Sequence, residues 1–250
     1  MPSQSLEVAV DAGIAIVTIN RPTKANALDR ETHLALTKIW LELEDRDDVA
    51  AVVLTGAGST FCGGGDRTKW PDLATDRRYR RRRMSEARQL IQNMLACQLP
   101  IVVAVNGPAL GVGCSIVLAG DLVVMAEDAY LADPHVSAGI VAGDGGAALA
   151  PEVLPLPLAR RLLFLGERVS AATAREVHLA VDVVPREAVV SRAVELAALL
   201  VAQPWEALRD TKRAVNLGLI QRITPTLEFG STAEAASFDT PEFRTGRVDP

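Results

Sequence analysis

The stretch IVVAVNGPALGVGCSIVLAGD, from Ile101 to Asp121, decides the reading of this chain. Its β-branched opening, Ile101 to Val105, predicts a buried strand, and Asn106-Gly107-Pro108 breaks it. Gly111 and Gly113 then flank Val112, and an apolar helical run follows to Ala119. A glycine-bracketed turn that opens a helix leaves main-chain N–H groups without partners. Such donors, aided by the helix dipole, can hold an anion or a developing oxyanion. The plainer alternative is a tight strand-to-helix turn that binds nothing. A dinucleotide fingerprint fails, because Ile116 stands where a third small residue is required.

Working outward, a second glycine-rich turn, TGAGSTFCGGGD from Thr55 to Asp66, follows the strand-like run Val49 to Leu54. It lacks the Gly-Lys-Ser/Thr ending of a phosphate loop, which excludes that route to nucleotide hydrolysis. Two such turns can supply one N–H each to a single carbonyl oxygen.

Composition narrows the class. The 250 residues are 49% hydrophobic, enough for one well-filled core plus an appendage. A net charge of −5 and a pI near 5.3 argue against a general binder of nucleic acid or membrane surfaces. The three cysteines (Cys62, Cys97, Cys114) lack metal-ligand spacing and read as buried small residues in a reducing compartment. No metal site is expected. The N-terminus has no basic stretch leading into an apolar one, and no apolar run reaches transmembrane length, so the expectation is a cytoplasmic protein.

Along the chain, Leu6–Val10 and Ile14–Asn20 around Asp11-Ala12-Gly13 predict a hairpin. Asp29 is the expected N-cap of a helix to about Glu44, with Leu34, Trp40 and Leu43 on or near one face. A second helix is expected over 84–97. Leu122–Ala126, Tyr130–Asp133 and Leu179–Val184 read as strands. From about 186 onward the pattern is helical, broken at Pro204 and Pro225, and His33 and His178 fall in helical runs. Strand, turn and helix recur at uneven spacing, as in stacked ββα-type turns. The segment RTKWPDLATDRRYRRRR (67–83) is set apart by its arginines. It reads as a solvated helix start, or as a basic patch that attracts phosphates or an acidic partner.

The strings RPTKANALD, VVLTGAGSTFCGGGD, VNGPALGVGCSIVLAGDLVVMAEDAYLADP and GERVSAATAREVHLAVDVVP resemble, in order and spacing, the enoyl-CoA hydratase/isomerase (crotonase) superfamily. The resemblance runs from about residue 5 to 220. It implies an α/β spiral of ββα turns, with core and active site over 1–195 and a C-terminal helical oligomerisation region over 196–250. It further implies a homotrimer or a hexamer built as a dimer of trimers. The substrate would be an acyl-CoA thioester, with coenzyme A as part of the substrate and no permanently bound cofactor. The thioester carbonyl would sit between the main-chain N–H groups of Gly65 and Val112, which stabilise an enolate. Asn26, Ala27 and Leu28 match the segment beside the adenine, and Asp66, Arg67, Gly111 and Ser115 complete the expected substrate contacts. Asn26 has an alternative task as a turn-forming side chain bonded to nearby backbone.

The acid–base positions depart from the family. Typical hydratases carry one glutamate just after the second glycine turn and another about twenty residues later; here these positions are Ser115 and His135. A serine hydroxyl does not titrate near neutrality, so Ser115 is a poor base and reads as a packing or capping residue. His135 follows Asp133-Pro134, and imidazole suits proton transfer at neutral pH. Asp144 can orient the ring from its far nitrogen. The segment PHVSAGIVAGDGG resembles that of crotonase-fold hydrolases of the 6-oxocamphor hydrolase type, which cleave β-diketones. Three functions therefore stay open: addition or isomerisation on an enoyl-CoA, carbon–carbon bond hydrolysis of a β-dicarbonyl by His135 and Asp144, and acyl-CoA binding without chemistry. A structural histidine beside a turn aspartate is the alternative to the catalytic reading.

Overall fold

A computed structural model describes residues 5–244; residues 1–4 and 245–250, the ends of the two expected regions, lie outside the described residues. In chain order the strands and helices are β1 (Leu6–Asp11), β2 (Ile14–Ile19), α1 (Arg30–Glu44), β3 (Ala51–Gly56), α2 (Trp70–Thr75) and α3 (Arg77–Ala96). They continue with β4 (Ile101–Val105), β5 (Ala109–Leu110), α4 (Val112–Leu118), β6 (Leu122–Ala126), β7 (Tyr130–Ala132), α5 (Gly146–Val153) and α6 (Leu156–Leu165). The chain closes with β8 (Val169–Ser170), α7 (Ala171–Glu176), β9 (Asp182–Val184), α8 (Val189–Val201), α9 (Trp205–Ser237) and α10 (Pro241–Arg244).

Six strands form one sheet in the order β1-β2-β3-β4-β6-β9, and β5-β7-β8 form a second, smaller one. Only the β1–β2 hairpin is antiparallel in the large sheet. Every residue of β3 and β4 is buried, which is why both read as unbroken apolar runs. Helix α8 packs across β3, β4 and β6.

Asp29 caps α1 as expected, its carboxylate accepting from the Thr32 N–H at 2.9 Å. Leu36, Trp40 and Leu43 are the fully buried apolar positions of α1, while Leu34 is only half-buried. Helix α3 begins at Arg77, earlier than the arginine run implies, because the Asp76 carboxylate accepts from the Tyr79 N–H at 2.9 Å. Within that run, Arg80 turns inward to pair with Asp239 at 2.9 Å, and Arg82 and Arg83 both reach Glu86. His178 is not helical; it turns the chain after α7 with φ of +62°. The cysteines are free and buried as expected, and burial pushes the thiols of Cys62 and Cys97 up to about 12.

Candidate active site

Short backbone pairings assemble the site from three loops. The Leu110 N–H donates to the Cys62 carbonyl, the Gly111 N–H donates to the Ala132 carbonyl, and β5 pairs in parallel with β7. The first glycine turn, the second, and the Asp133-Pro134-His135 segment thus lie side by side. Gly113 lets the two turns touch: a Cβ there would stand 2.6 Å from the Cys62 carbonyl oxygen. Gly111 is favoured by its φ of +52°, and a Cβ there would also crowd Cε1 of His135 at 3.2 Å.

Gly65 and Val112 line one cavity of about 110 Å³. Gly65 pairs with Leu28 as a parallel bridge that uses the Asp66 N–H and the Gly64 carbonyl. Its own N–H is spoken for by no group among the described residues. The same holds for the Val112 N–H, at the start of α4, where no intrahelical acceptor exists.

His135 stands between two carboxylates. Its Nδ1 lies 2.5 Å from Oδ1 of Asp133, and its Nε2 lies 3.3 Å from Oδ2 of Asp144. The Asp133 Oδ1 also accepts from the His135 main-chain N–H at 3.1 Å, which locks the ring's approach. The Ser115 hydroxyl donates to the other Asp144 oxygen at 3.1 Å. Burial would discharge the imidazole, but the charges of Asp144 and Asp133 outweigh it and hold His135 well above its ordinary value. Burial likewise opposes ionisation of Asp144. His135, the Ser115 hydroxyl and the Gly146 N–H win, and keep the carboxyl below its usual range. At neutral pH His135 and Asp144 thus form a buried imidazolium–carboxylate pair, with Asp133 on the other ring nitrogen.

A third carboxyl closes the cavity from α9. Glu234 is buried, its Oε2 has no hydrogen-bond partner, and burial followed by the Asp144 charge pushes it up to about 8. It is therefore a neutral acid at pH 7. Sequence reading missed both Asp133 and Glu234. Asp133 was visible as the acid two residues before the histidine. The signal for Glu234 was a lone carboxyl among small residues, Ala233-Glu234-Ala235-Ala236.

Several of the expected substrate-contact residues also have structural tasks. Asn26 is fully buried with φ of +54°. Its amide donates to the carbonyls of Ala57 and Thr60 and accepts from the Arg21 N–H, so the side chain ties loops together. Ser115 neither caps α4 nor reaches the cavity; its hydroxyl serves Asp144. Asp66 caps the turn 67–69 and pairs with Arg21 at 3.3 Å. Leu28 lines the cavity, Ala27 is half-buried beside it, and Arg67 lies over the Trp70 ring at 5.0 Å. Asp133, His135 and Asp144 are also close enough to share a cation. However, both ring nitrogens already face carboxylate oxygens, and the short Nδ1 contact leaves no room for an ion between them.

The profile of the enoyl-CoA hydratase/isomerase family matches residues 9–249. A short-chain-enoyl-CoA hydratase of Clostridium acetobutylicum is 31% identical over 228 residues, 91% of this chain and 87% of its own length. An enoyl-CoA hydratase/isomerase of Mycobacterium paratuberculosis has the same architecture, with a TM-score of 0.93 and 37% identity over 98% of each chain. A β-diketone hydrolase of the cyanobacterium Anabaena, solved with (S)-3-oxocyclohexyl acetic acid bound, gives a TM-score of 0.88 at 28% identity over 94% of each chain. With its α/β core, its C-terminal helices and its two glycine turns, the chain belongs to the enoyl-CoA hydratase/isomerase, or crotonase, family.

Proposed function

We propose that this protein is a hydrolase that splits the carbon–carbon bond between the two carbonyls of a β-dicarbonyl compound. The observation that carries the reading is the line Asp133–His135–Asp144, set in a cavity whose walls offer donors to two separate carbonyl oxygens. One set is the main-chain N–H pair of Gly65 and Val112. The other is the neutral carboxyl of Glu234. Likeness to a hydrolase of β-diketones supports the same reading.

In this scheme a water beside Asp144 loses a proton to Oδ2 as its oxygen bonds to one carbonyl carbon, whose oxygen faces Glu234. The tetrahedral adduct collapses and the carbon–carbon bond breaks. Its electron pair becomes an enolate, held by the Gly65 and Val112 N–H groups. Donors aimed in advance at such charge contribute about 3–4 kcal/mol each. The His135 imidazolium then protonates the enolate carbon from Nε2. Asp144 returns its proton to Nε2 across the 3.3 Å gap, and the site is restored. One water is consumed, and one carboxylic acid and one ketone, or thioester, leave. Ser115 fixes the Asp144 oxygen that does not take the proton.

A second reading, hydration of an enoyl-CoA thioester, is favoured by the 31% identical hydratase. The same relay would send the water oxygen to the β-carbon and the His135 proton to the α-carbon. Mass spectrometry of products formed in heavy-oxygen water, from panels of β-dicarbonyl and enoyl-CoA substrates, separates the two. Heavy oxygen in a new carboxylate with the carbon skeleton broken is the expected result. Heavy oxygen in an intact hydroxyacyl-CoA would replace the hydrolase with a hydratase, and no turnover on either panel would leave an acyl-CoA-binding protein. The reading also carries a trimer or hexamer, supported by the exposed apolar side chains Phe164, Leu165, Val215, Leu217 and Phe229. Light scattering that gives a monomer would remove that part.

A further inference from the structure

His33, on α1, lines the same cavity as His135 and Glu234, and the proposed reaction gives it no task. It is buried, and its Nε2 has no hydrogen-bond partner. The state of the ring follows from Thr37, one turn later. The Thr37 hydroxyl donates its single proton to the His33 carbonyl at 2.8 Å. The contact of 3.4 Å between Thr37 Oγ1 and His33 Nδ1 must then have the ring nitrogen as donor. A neutral imidazole carries one N–H, so Nε2 is a bare acceptor. Burial first, and then the Arg83 charge, lower the ring to about 4, which keeps it neutral at pH 7.

A buried acceptor left unpaired is destabilising, because its hydration is lost and nothing replaces it. Phenylalanine or leucine would complete this wall of the cavity without that cost. Such a group is accounted for where a ligand supplies the missing partner. We infer that Nε2 of His33 is a specificity-determining acceptor for a hydroxyl group on the carbon skeleton of the substrate. The preferred substrates are then hydroxylated small molecules rather than plain hydrocarbon acyl chains. The inference rests on the cavity being the substrate site, as proposed above, but not on which bond is broken there.

The test reads binding, not turnover. The chain has three histidines, so a ¹⁵N spectrum of histidine-labelled protein resolves His33 from His135 and His178. The probes are 4-hydroxycyclohexanone and cyclohexanone, which carry one carbonyl and so cannot be cleaved between two. The expected spectrum shows His33 as the Nδ1–H tautomer. Its bare Nε2 signal should move on addition of the hydroxyketone and not of the parent ketone. Affinity should favour the hydroxyketone about tenfold, the worth of one hydrogen bond. His33→Phe should bind both ketones equally. A charged ring, an Nε2–H tautomer, an unmoved signal or equal affinities in the wild type would each overturn the inference. A preserved hydroxyketone preference with no cleavage of any β-dicarbonyl would sink the hydrolase reading and leave this one standing.

Discussion

Gly143 lies flat against Gly230: a Cβ on Gly143 would stand 2.2 Å from the Gly230 carbonyl oxygen and 2.8 Å from Oε2 of Glu234. That contact seats the loop carrying Asp144 on α9, and the Val141 N–H donating to the Ser237 hydroxyl at 3.2 Å holds it from the next turns. Gly143→Ala should therefore lift the loop. The expected cost is about 1–3 kcal/mol in denaturant unfolding, with turnover falling further than stability because Asp144 moves from Nε2 of His135. Wild-type turnover in a stably folded Gly143→Ala protein would show that the loop position does not govern the chemistry.

Glu234 gives a signature in pH. Its carboxyl ionises near 4.5 in the unfolded chain and at about 8 in the folded one. Between these values the folded state binds more protons, so this group's contribution erodes stability as pH rises and is fully unfavourable above about 8. Glu234→Gln keeps the shape and cannot ionise. The melting temperature of the variant relative to wild type should rise steadily from pH 5 to pH 9, by several degrees in total. A constant difference across that range would mean that Glu234 is not a neutral buried acid. His33 works in the opposite direction: its folded value of about 4 gives stability that is present above 6.5 and lost as pH falls toward 4.

How much of this was legible in the sequence follows from which forces are local. Strands β3 and β4 announced themselves because both faces are buried, and the glycines at 111 and 113 because backbone geometry demands them. His135 and Asp144 sit on one connected segment, so their pairing was open to inference. Glu234 and His33 reach the cavity only through the docking of α9 and α1, which no spacing rule encodes. The start of α3 was hidden for a different reason. A run of arginines reads as solvated until it is known that Asp76 caps it and that Arg80 turns inward.

Within the acid–base line, Asp144 and its partner Ser115 should separate by magnitude. Asp144→Asn leaves His135 its Asp133 partner but removes the proton acceptor. The rate constant for turnover should drop by about 10³, the usual worth of general acid–base catalysis. Ser115→Ala removes one hydrogen bond to a charged group and should cost roughly tenfold to a hundredfold. Its pH profile should shift as well, because Asp144 loses support for its ionised form. Equal losses in the two variants would place Ser115 in the chemistry itself, against the geometry that keeps its hydroxyl out of the cavity.

The arginine run carries a test of packing. Arg80 is almost fully buried, whereas its partner Asp239 is partly exposed. Removing the cation and removing the anion are thus unequal operations. Arg80→Met fills the space with apolar atoms and leaves a carboxylate that water can reach, so it should cost little, within about 1.5 kcal/mol. Asp239→Ala strands a guanidinium in the interior, one of whose nitrogens already lacks a partner. It should cost about 3–5 kcal/mol by denaturant unfolding. Because Phe238, the residue before Asp239, packs on the Phe243 ring at 4.7 Å and lines the cavity with Glu234, the same substitution should also weaken binding of the ketone probes. The reverse order of stabilities would mean that the ion pair is dispensable and that the fit of α3 against α9 rests on its apolar contacts alone.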